Sequence, residues 1–341
     1  MATVKYKIRD CKIFLDNQWL KNLLNRRLKN YFPNFARCVK VESKHYKVLA
    51  TTSFLVRYQI VLETADGFKH ALEIRGNRLN PASYKTLKYL WATHGFKKYY
   101  YPRPLRYFAK KQYVLYESYQ GEVYRSWPDK SYKFFNQTIP LIAQRLADLH
   151  QTKILSAKTL TYQDQAKTFK VMLGKIKKHN PKYLKPAEQA AEKIANYLKN
   201  NCVPPRLALC HNDFQSSNLI YDPYGPRIGI IDFELMANNL PAADIANFNI
   251  QLFSTIRNAL PPVKIIALQQ KFIKEYKKNI SRKKNLEFEQ DLPYFNAKSL
   301  IDLLALYSIQ IKTETGKQRQ NYLRQAMVGH FNNLKKLLTV L

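Results

Sequence analysis

The stretch that decides the fold is His211-Asn212-Asp213-Phe214-Gln215-Ser216-Ser217-Asn218, which is followed by Ile231-Asp232-Phe233-Glu234. The two segments read as H-x-D-x-x-x-x-N and I-D-F. Each comes directly after a short apolar run, a pattern that predicts a strand leading into a loop. Asp213, Asn218 and Asp232 therefore stand at loop positions. Carboxylate and amide oxygens at such positions can act as a base and as ligands of a hard cation.

This spacing resembles the way a kinase-type phosphotransferase arranges a base and two metal ligands. The segments Cys210–Asp213, Ile231–Glu234 and Asp244–Asn247 look like the choline/ethanolamine kinase branch of the aminoglycoside phosphotransferase superfamily. Protein kinases usually have H-R-D and D-F-G at the first two places. Asn212 and Glu234 stand there instead, as in small-molecule kinases, so the resemblance implies phosphoryl transfer to a small molecule.

The resemblance implies a role for each polar residue of these segments. Asp213 is the expected catalytic base, which orients the hydroxyl that attacks ATP. Asn218 and Asp232 are the expected ligands of the Mg²⁺ that bridges the nucleotide phosphates. His211 and Asp244 are expected to support the loop rather than to react. ATP and Mg²⁺ are therefore the predicted cofactors.

The implied fold is α+β and bilobal, like that of protein kinases, with a small antiparallel sheet in an N-terminal lobe (1–120). A mainly helical C-terminal lobe (121–341) is expected to carry the catalytic and acceptor-binding residues. Alternating apolar and polar residues over 39–75 predict the sheet. Asn80-Pro81 predicts the start of a helix that ends near Gly95. Pro102 and Pro104 predict a loop before a strand at 112–117, and a further loop is predicted around Arg282–Leu292.

The nucleotide-binding residues of the N-terminal lobe are predicted from position. Arg75 ends a strand where kinases place a cation on the nucleotide phosphates, and a turn of small hydroxyl residues could cover them without glycines. Kinases usually pair that cation with a helical glutamate, but no acidic residue occurs between Arg75 and His94. Glu117 ends the strand that leads towards the hinge. The predicted set is Arg75, Thr51, Thr52, Ser53 and Glu117.

The acceptor is predicted to be choline-like or ethanolamine-like, because the resemblance is closest to that branch. Glu234 and Tyr307 are the candidate acceptor-binding residues, although an aromatic at the helical spacing of Tyr307 is more often part of the core. Residues 238–243 lack the tyrosine that choline kinases place there for cation–π contacts. An aminoglycoside, a sugar or a lipid-linked glycan is therefore the alternative acceptor.

The composition and net charge of the chain limit the kinds of partner that the protein can have. The 341 residues are 46% hydrophobic and 13% aromatic, which excludes a disordered chain. The net charge of +33 favours anionic partners such as nucleotides, glycans or membrane surfaces. A catalytically weak kinase-fold protein that binds nucleic acid or an anionic membrane is the second alternative, although no RNA-binding motif accompanies the charge. Residues 1–20 lack the features of a secretory signal, and the four cysteines lack metal-binding spacing, so a cytoplasmic location is predicted.

Overall fold

The computed structural model describes residues 8–48, 54–95, 101–118, 121–123, 130–153, 158–222, 225, 227–257 and 259–341. These residues form two compact units. The first unit comprises the described residues of 1–122 together with 220–234, and the second comprises those of 123–219 together with 235–341. Within these ranges, no helix is both long enough and apolar enough to cross a membrane.

The predicted α+β class is confirmed. The strands are, in chain order, β1 (Arg37–Val48), β2 (Phe54–Glu63), β3 (Lys69–Arg78), β4 (Pro104–Phe108), β5 (Tyr113–Glu117), β6 (Glu122–Val123), β7 (Ala208–Cys210), β8 (Leu219–Asp222), β9 (Arg227–Ile230) and β10 (Ala237–Asn239). The α-helices are α1 (Asn17–Tyr31), α2 (Pro81–Leu90), α3 (Tyr132–Gln151), α4 (Tyr162–His179), α5 (Leu184–Asn201), α6 (Ala242–Ile256), α7 (Pro262–Lys278), α8 (Arg282–Thr313) and α9 (Lys317–Leu338).

The first unit is built on an antiparallel five-stranded sheet in the order β1-β2-β3-β5-β4. The alternation in β2 buries Val56, Tyr58, Ile60 and Leu62 completely, whereas the residues between them reach solvent. That buried face and the apolar side of α1 share one core. Because side chains alternate across a strand, this period of two fixes which face of β2 meets the core.

Helix α2 of the same unit begins as its sequence predicts. The Asn80 side chain accepts a hydrogen bond from the Ser83 N–H at 2.9 Å, and Pro81 occupies the first helical position. A π-helical turn, Trp91–Gly95, continues the helix to the predicted glycine. Strands β6, β8 and β9 form a separate three-stranded sheet.

The second unit is mainly helical, and α8 lies at its centre, packed against α4, α5, α6 and α9. Helix α3 packs against α7, and the short strands β7 and β10 pair antiparallel beside α3. Three buried phenylalanines join the segment after β7 to this core. Phe214 lies 5.6 Å from Phe248 between ring centroids, and Phe248 lies 4.4 Å from Phe272. Burying such a ring stabilises the fold by roughly 1.5–3 kcal/mol, so the loop after β7 is anchored to α6 and α7.

The prediction of a loop around Arg282–Leu292 is wrong, because α8 begins at Arg282. The Ser281 hydroxyl caps the helix by accepting a hydrogen bond from the Lys284 N–H at 3.4 Å. The many Lys and Glu residues of the first turns suggested a solvated loop. They face solvent on a helix whose opposite side buries Phe288 and Asp291, and this tertiary burial outweighs the polar composition of the segment.

The predicted loop between Pro102 and the strand at 112–117 is also wrong in part. Residues Pro104–Phe108 form β4, an edge strand that pairs with β5. Proline is tolerated at the first position of an edge strand because it needs no ladder N–H there. Strand β10 was not predicted either, since three residues are too short to show an alternating pattern.

Candidate active site

The segment His211–Asn218 leaves β7 through a left-handed turn at Asn212, whose φ is 62°. Asparagine tolerates this conformation better than most residues. Its side-chain N–H groups lie within hydrogen-bonding distance of three backbone carbonyls of the second unit, and its side-chain oxygen accepts a 2.7 Å hydrogen bond from Asn239. The carbonyls belong to Cys210, Leu235 and Ala237. Asn212 therefore both adopts the left-handed conformation of the turn and stabilises it through its side-chain hydrogen bonds.

Asp244, in the first turn of α6, fixes the start of the same loop. Its fully buried carboxylate accepts hydrogen bonds from the backbone N–H groups of His211 and Asn212, both at 2.7 Å. His150 Nε2 lies 3.0 Å from Asp244 Oδ2, and His150 Nδ1 lies 2.7 Å from the Tyr276 hydroxyl. Because a carboxylate only accepts, Nε2 is the donor to Asp244. A buried carboxylate is costly unless it is partnered in this way, so the contacts suit the bracing role expected of Asp244.

Asp213 projects from this braced loop with its carboxylate held on both sides. The Gln215 amide donates to Asp213 Oδ1 at 2.9 Å, and the Asn218 amide donates to Asp213 Oδ2 at 3.0 Å. The same Asn218 nitrogen donates to the Asp213 backbone carbonyl at 2.9 Å. Together with the core anchor at Phe214, these bonds restrict the carboxylate to one orientation. A general base needs such positioning before its basicity matters.

Asn218 and Asp232 each offer an oxygen that a hard cation such as Mg²⁺ would accept. The two hydrogen bonds from the Asn218 nitrogen to Asp213 leave its side-chain oxygen on the opposite side, where the Ser217 hydroxyl approaches only to 3.5 Å. Asp232, in the first unit, has a left-handed backbone with φ of 67° and an exposed side chain. The next residue, Phe233, is buried edge-on against Tyr101. The metal-ligand roles expected of Asn218 and Asp232 stay predictions.

The buried cluster of His150, Cys210 and Asp244 places three potential metal-ligand atoms within 4.8 Å of one another. Both ring nitrogens of His150 are already engaged by hydrogen bonds. Burial, followed by the charge of Asp244, raises the pKa of the Cys210 thiol well above its ordinary value. A protonated thiol is a poor ligand and a poor nucleophile, so this cluster supports the loop rather than holding a metal.

Arg75 of the first unit pairs with a glutamate that was not predicted from the sequence. Its guanidinium pairs with Glu73 at 2.8 Å, and the Ser118 hydroxyl donates to the same Glu73 oxygen at 2.7 Å. Burial raises the pKa of Glu73, but the bonds from Ser118 and Arg75 outweigh burial and hold that pKa below its ordinary value. The partner lies upstream of Arg75 on the same strand, whereas kinases usually supply it from the helix that follows. Residues two apart on a strand share one face, so the strand periodicity could have indicated Glu73.

The remaining predicted nucleotide residues have different outcomes. Thr51, Thr52 and Ser53 lie outside the described residues. Glu117 ends β5, and its carboxylate forms an ion pair with Arg103 at 2.8 Å. A strand-end carboxylate held by Arg103 is fixed in place, and its predicted contact with the nucleotide stays a prediction.

Glu234 lies in the first unit, where its backbone carbonyl accepts a hydrogen bond from the Ser83 hydroxyl at 3.2 Å. Its side chain reaches solvent. Partial desolvation and then the charge of Asp232 raise its pKa, while Arg78 acts in the opposite direction. The structure gives Glu234 no fixed side-chain partner among the hydrogen bonds and ion pairs of the described residues, and its role towards the acceptor stays a prediction.

A polar pocket of about 280 Å³ lies in the second unit, directly beside the catalytic loop. Gln215 and Ser216 of the loop line it, together with Ser254 of α6 and Tyr307 of α8. Tyr307 is buried and its hydroxyl lies 3.4 Å from the Ser254 hydroxyl. Because Gln215 also binds the Asp213 carboxylate, the pocket and the candidate base share a side chain. This pocket is the candidate acceptor site. Arg319 and Tyr322 of α9 also line it, and neither residue was predicted from the sequence.

Comparisons with known proteins identify the family of this chain. The family model for choline/ethanolamine kinase matches residues 134–322, more than half of the chain. A probable ethanolamine kinase B from Dictyostelium discoideum is 35% identical over 81 residues, which make up 24% of this chain and only 18% of that relative.

Solved structures extend the similarity to nearly the whole chain. The choline kinase from Cryptosporidium parvum is 15% identical, covers 95% of this chain over 96% of its own, and gives a TM-score of 0.58. A spectinomycin phosphotransferase in complex with ADP and spectinomycin is 14% identical, covers 95% of this chain over 98% of its own, and gives a TM-score of 0.55. At these identities the two likenesses show the fold alone. The predicted kinase-like fold and family are confirmed, and the chain belongs to the choline/ethanolamine kinase family.

Proposed function

We propose that this protein transfers the γ-phosphate of ATP to a hydroxyl group of a small molecule. The observation that carries the proposal is the Asp213 carboxylate, which Gln215 and Asn218 hold by hydrogen bonds on a loop that Asp244 braces. Membership in the choline/ethanolamine kinase family supports the same reaction class.

In this proposal Asp213 accepts a hydrogen bond from the acceptor hydroxyl and aims its oxygen at the phosphorus atom. As the new O–P bond forms, the proton of the hydroxyl passes to the carboxylate, and ADP leaves with the electrons of the broken bond. The fixed amide contacts of Gln215 and Asn218 restrict Asp213 to one direction of approach. Such positioning is the main contribution that a protein makes to phosphoryl transfer.

The nucleotide is proposed to be ATP, held with Mg²⁺. Asn218 and Asp232 would provide oxygen ligands, and the cation would neutralise charge on the phosphates. Arg75 would contact the phosphates while Glu73 and Ser118 keep its guanidinium in place. The ADP complex of the spectinomycin phosphotransferase supports nucleotide binding by this fold. A cytoplasmic location belongs to the same proposal, because that compartment supplies ATP.

Two acceptor classes follow from these observations. Family membership favours choline or ethanolamine. The polar lining of the pocket beside Gln215 instead favours a hydroxyl-rich acceptor such as a sugar or an aminoglycoside, because its amide and hydroxyl side chains can hydrogen-bond several hydroxyls. Both classes keep the same reaction and the same base.

The proposal is tested by nucleotide binding and transfer in the purified full chain. ATP with Mg²⁺ should raise the melting temperature more than ATP with EDTA. The Mg²⁺-dependent part should shrink in Asn218→Ala and Asp232→Ala but persist in Asp66→Asn, which alters an exposed turn carboxylate of the first unit. Radiolabelled ATP should also label at least one of choline, ethanolamine, glucose, gluconate and glucose 6-phosphate. No Mg²⁺-dependent response to ATP and no labelled product would contradict the proposal and favour a non-catalytic binding protein.

A further inference from the structure

The charge of the pocket beside the catalytic loop bears on the acceptor. Two arginines converge on one tyrosine there. The guanidinium carbon of Arg257 lies 3.6 Å from the centroid of the Tyr322 ring, and that of Arg319 lies 4.8 Å from it. Tyr322 and Arg319 line the pocket. The Tyr322 hydroxyl donates to the Ser254 carbonyl at 3.3 Å, which ties the ring to α6.

No carboxylate of the described residues neutralises these guanidinium groups. In the described part of the chain, neither Arg257 nor Arg319 lies within salt-bridge distance of an acidic side chain, and no Asp or Glu of that part lines the pocket. Glu314, on the connection between α8 and α9, is the acidic residue near Arg319 in sequence. Its carboxylate accepts the Gly316 N–H at 3.0 Å instead.

The positive field reaches the neighbouring side chains. Burial, followed by the charge of Arg257, lowers the pKa of His330 to about 4, so this imidazole is neutral at pH 7. Burial raises the pKa of Tyr307, and the charges of Arg257 and Arg319 act in the opposite direction. Both arginines therefore act electrostatically on the residue that forms one wall of the pocket.

Such a pocket is poorly suited to a quaternary ammonium or a primary ammonium group. A cationic ligand is recognised by open aromatic faces and nearby carboxylates. Here guanidinium groups already cover Tyr322, and their charge would repel a second cation. Arginine guanidinium groups instead match carboxylate and phosphate oxygens with paired hydrogen bonds.

We infer that the acceptor carries an anionic group, a carboxylate or a phosphate, which Arg319 binds and the charge of Arg257 behind Tyr322 attracts, while the acceptor hydroxyl lies towards Gln215 and Asp213. The inference rests on the proposed phosphotransferase function and specifies its substrate class. A volume of about 280 Å³ is near the lower end of small-molecule sites, roughly 300–1,000 Å³. The acceptor is therefore a small hydroxylated acid or phosphate ester.

The test compares five probes in the full chain with Mg²⁺ and a nucleotide: choline, ethanolamine, glucose, gluconate and glucose 6-phosphate. Binding is measured as the thermal shift in the presence of ADP, and transfer is measured with labelled ATP. We expect gluconate or glucose 6-phosphate to bind at least tenfold more tightly than choline and ethanolamine. The gluconate and glucose 6-phosphate arms distinguish a carboxylate from a phosphate, and glucose reports the contribution of the hydroxyls alone.

Arginine variants distinguish anion binding in this pocket from nonspecific attraction by the net positive charge of the protein. Arg319→Gln and Arg257→Gln should each weaken the binding of the preferred anionic probe about tenfold or more. Arg282→Gln removes an equal charge from an exposed position at the start of α8 and should bind that probe as the parent does. Because Arg319 is exposed, its replacement is a safe second variant if Arg257→Gln folds poorly.

The outcomes also separate this inference from the proposed function. A Mg²⁺-dependent response to ATP with transfer only to choline or ethanolamine would overturn the anionic acceptor and leave the kinase function intact. Binding of neither anionic probe, or equal binding of the preferred one by the Arg257 and Arg319 variants, would overturn the inference as well. Loss of the ATP response and of all transfer would instead count against the proposed function.

Discussion

Single residues hold the candidate base in place chiefly through side-chain amides. Asn212, Gln215, Asn218 and Asn239 provide the hydrogen bonds that shape the loop around Asp213. A neutral amide can donate and accept at once, so it satisfies backbone carbonyls and a carboxylate without adding charge. These amides therefore position the Asp213 carboxylate without adding a charge of their own.

The ion pair of Arg75 leads to a prediction at this scale. Glu73→Gln should raise the KM for ATP about three- to tenfold and change kcat less, because the substituted amide would hold the guanidinium with a weaker, uncharged acceptor. Steady-state kinetics with varied ATP measure both constants. Glu42→Gln, which changes a solvent-accessible glutamate on β1 paired with Lys44, serves as the control and should leave both constants unchanged. An unchanged KM for ATP in Glu73→Gln would contradict the positioning role.

The residue scale also shows which site features the sequence could predict. Motif spacing singled out Asp213, Asn218 and Asp232, since their positions in the loops are fixed by short segments of chain. Side chains that the tertiary fold brings into contact from distant segments show no such local pattern in the sequence. His150 reaches Asp244 from α3, and Arg257 reaches Tyr322 from the end of α6. Neither contact follows from sequence spacing, because both depend on how helices pack.

At the scale of elements, local signals succeeded where capping or alternation was strong. The Asn80-Pro81 start of α2 and the alternation of β2 both appear as expected. The start of α8 was missed because its charged first turns conceal a buried face, and β10 was missed because three residues carry no period. Burial by neighbouring elements decided both cases, and a single sequence does not display it.

At the scale of elements, replacing either of two glycines by alanine should change the free energy of unfolding, in opposite directions. A methyl group at Gly76 of β3 would overlap the Tyr113 ring, which cannot move easily because it is buried and stacked on Phe14 at 3.8 Å. Gly76→Ala should therefore lower the free energy of unfolding by about 1–3 kcal/mol. Gly174 lies inside α4, and a Cβ added there would meet open space. Gly174→Ala should raise the free energy of unfolding by about 0.5–1 kcal/mol, because alanine favours the helix.

Urea unfolding of the two alanine variants and the parent measures both effects. The same chemical change is made in each, so the difference in sign isolates the local environment. A stabilising Gly76→Ala substitution, or a destabilising Gly174→Ala substitution, would show that the packing described for β3 or α4 is incorrect.

At the scale of the whole molecule, two buried groups of the second unit make the free energy of unfolding depend on pH. Asp291 stabilises the fold at low pH, and His330 stabilises it at high pH. Burial raises the pKa of Asp291 to about 6, despite hydrogen bonds from Tyr197 and Arg206. Its contribution to stability is complete below about pH 4 and is lost as the pH rises through about 6. Burial and then Arg257 lower the pKa of His330 to about 4. Its contribution is present above about pH 6.5 and is lost as the pH falls through about 4.

Each group changes the free energy of unfolding by about 3 kcal/mol across this window, at about 1.4 kcal/mol per pKa unit. Asp291→Asn should therefore make stability rise more steeply with pH between 4 and 6.5 than in the parent. His330→Gln should make stability fall with pH relative to the parent. Urea unfolding at several pH values measures the slopes, and the parent is the reference for each. Identical slopes in all three proteins would contradict both assignments.

The charge of +33 was the whole-molecule feature that sequence analysis could not assign. Part of it now has a place, because Arg75 lies beside Glu73, Arg319 lines the pocket, and Arg257 stacks on Tyr322, which also lines the pocket. Many of the other described lysines and arginines are on the exposed faces of helices, where their charges are solvated. Net charge alone therefore does not indicate the acceptor. The proposed anionic acceptor rests instead on two arginines that have no carboxylate partner within the described residues.

The central claim is that Asp213 is the base of a phosphoryl transfer. The most direct measurement is single-turnover transfer from labelled ATP, with Mg²⁺, to the best of the five probes by Asp213→Asn. Glu188→Gln is the matched control, since it neutralises an exposed carboxylate of the same unit. We expect Asp213→Asn to lose about 10²–10⁴-fold in rate while keeping the thermal shift caused by ATP and Mg²⁺, and we expect Glu188→Gln to match the parent. Transfer by Asp213→Asn at the parental rate would contradict the account.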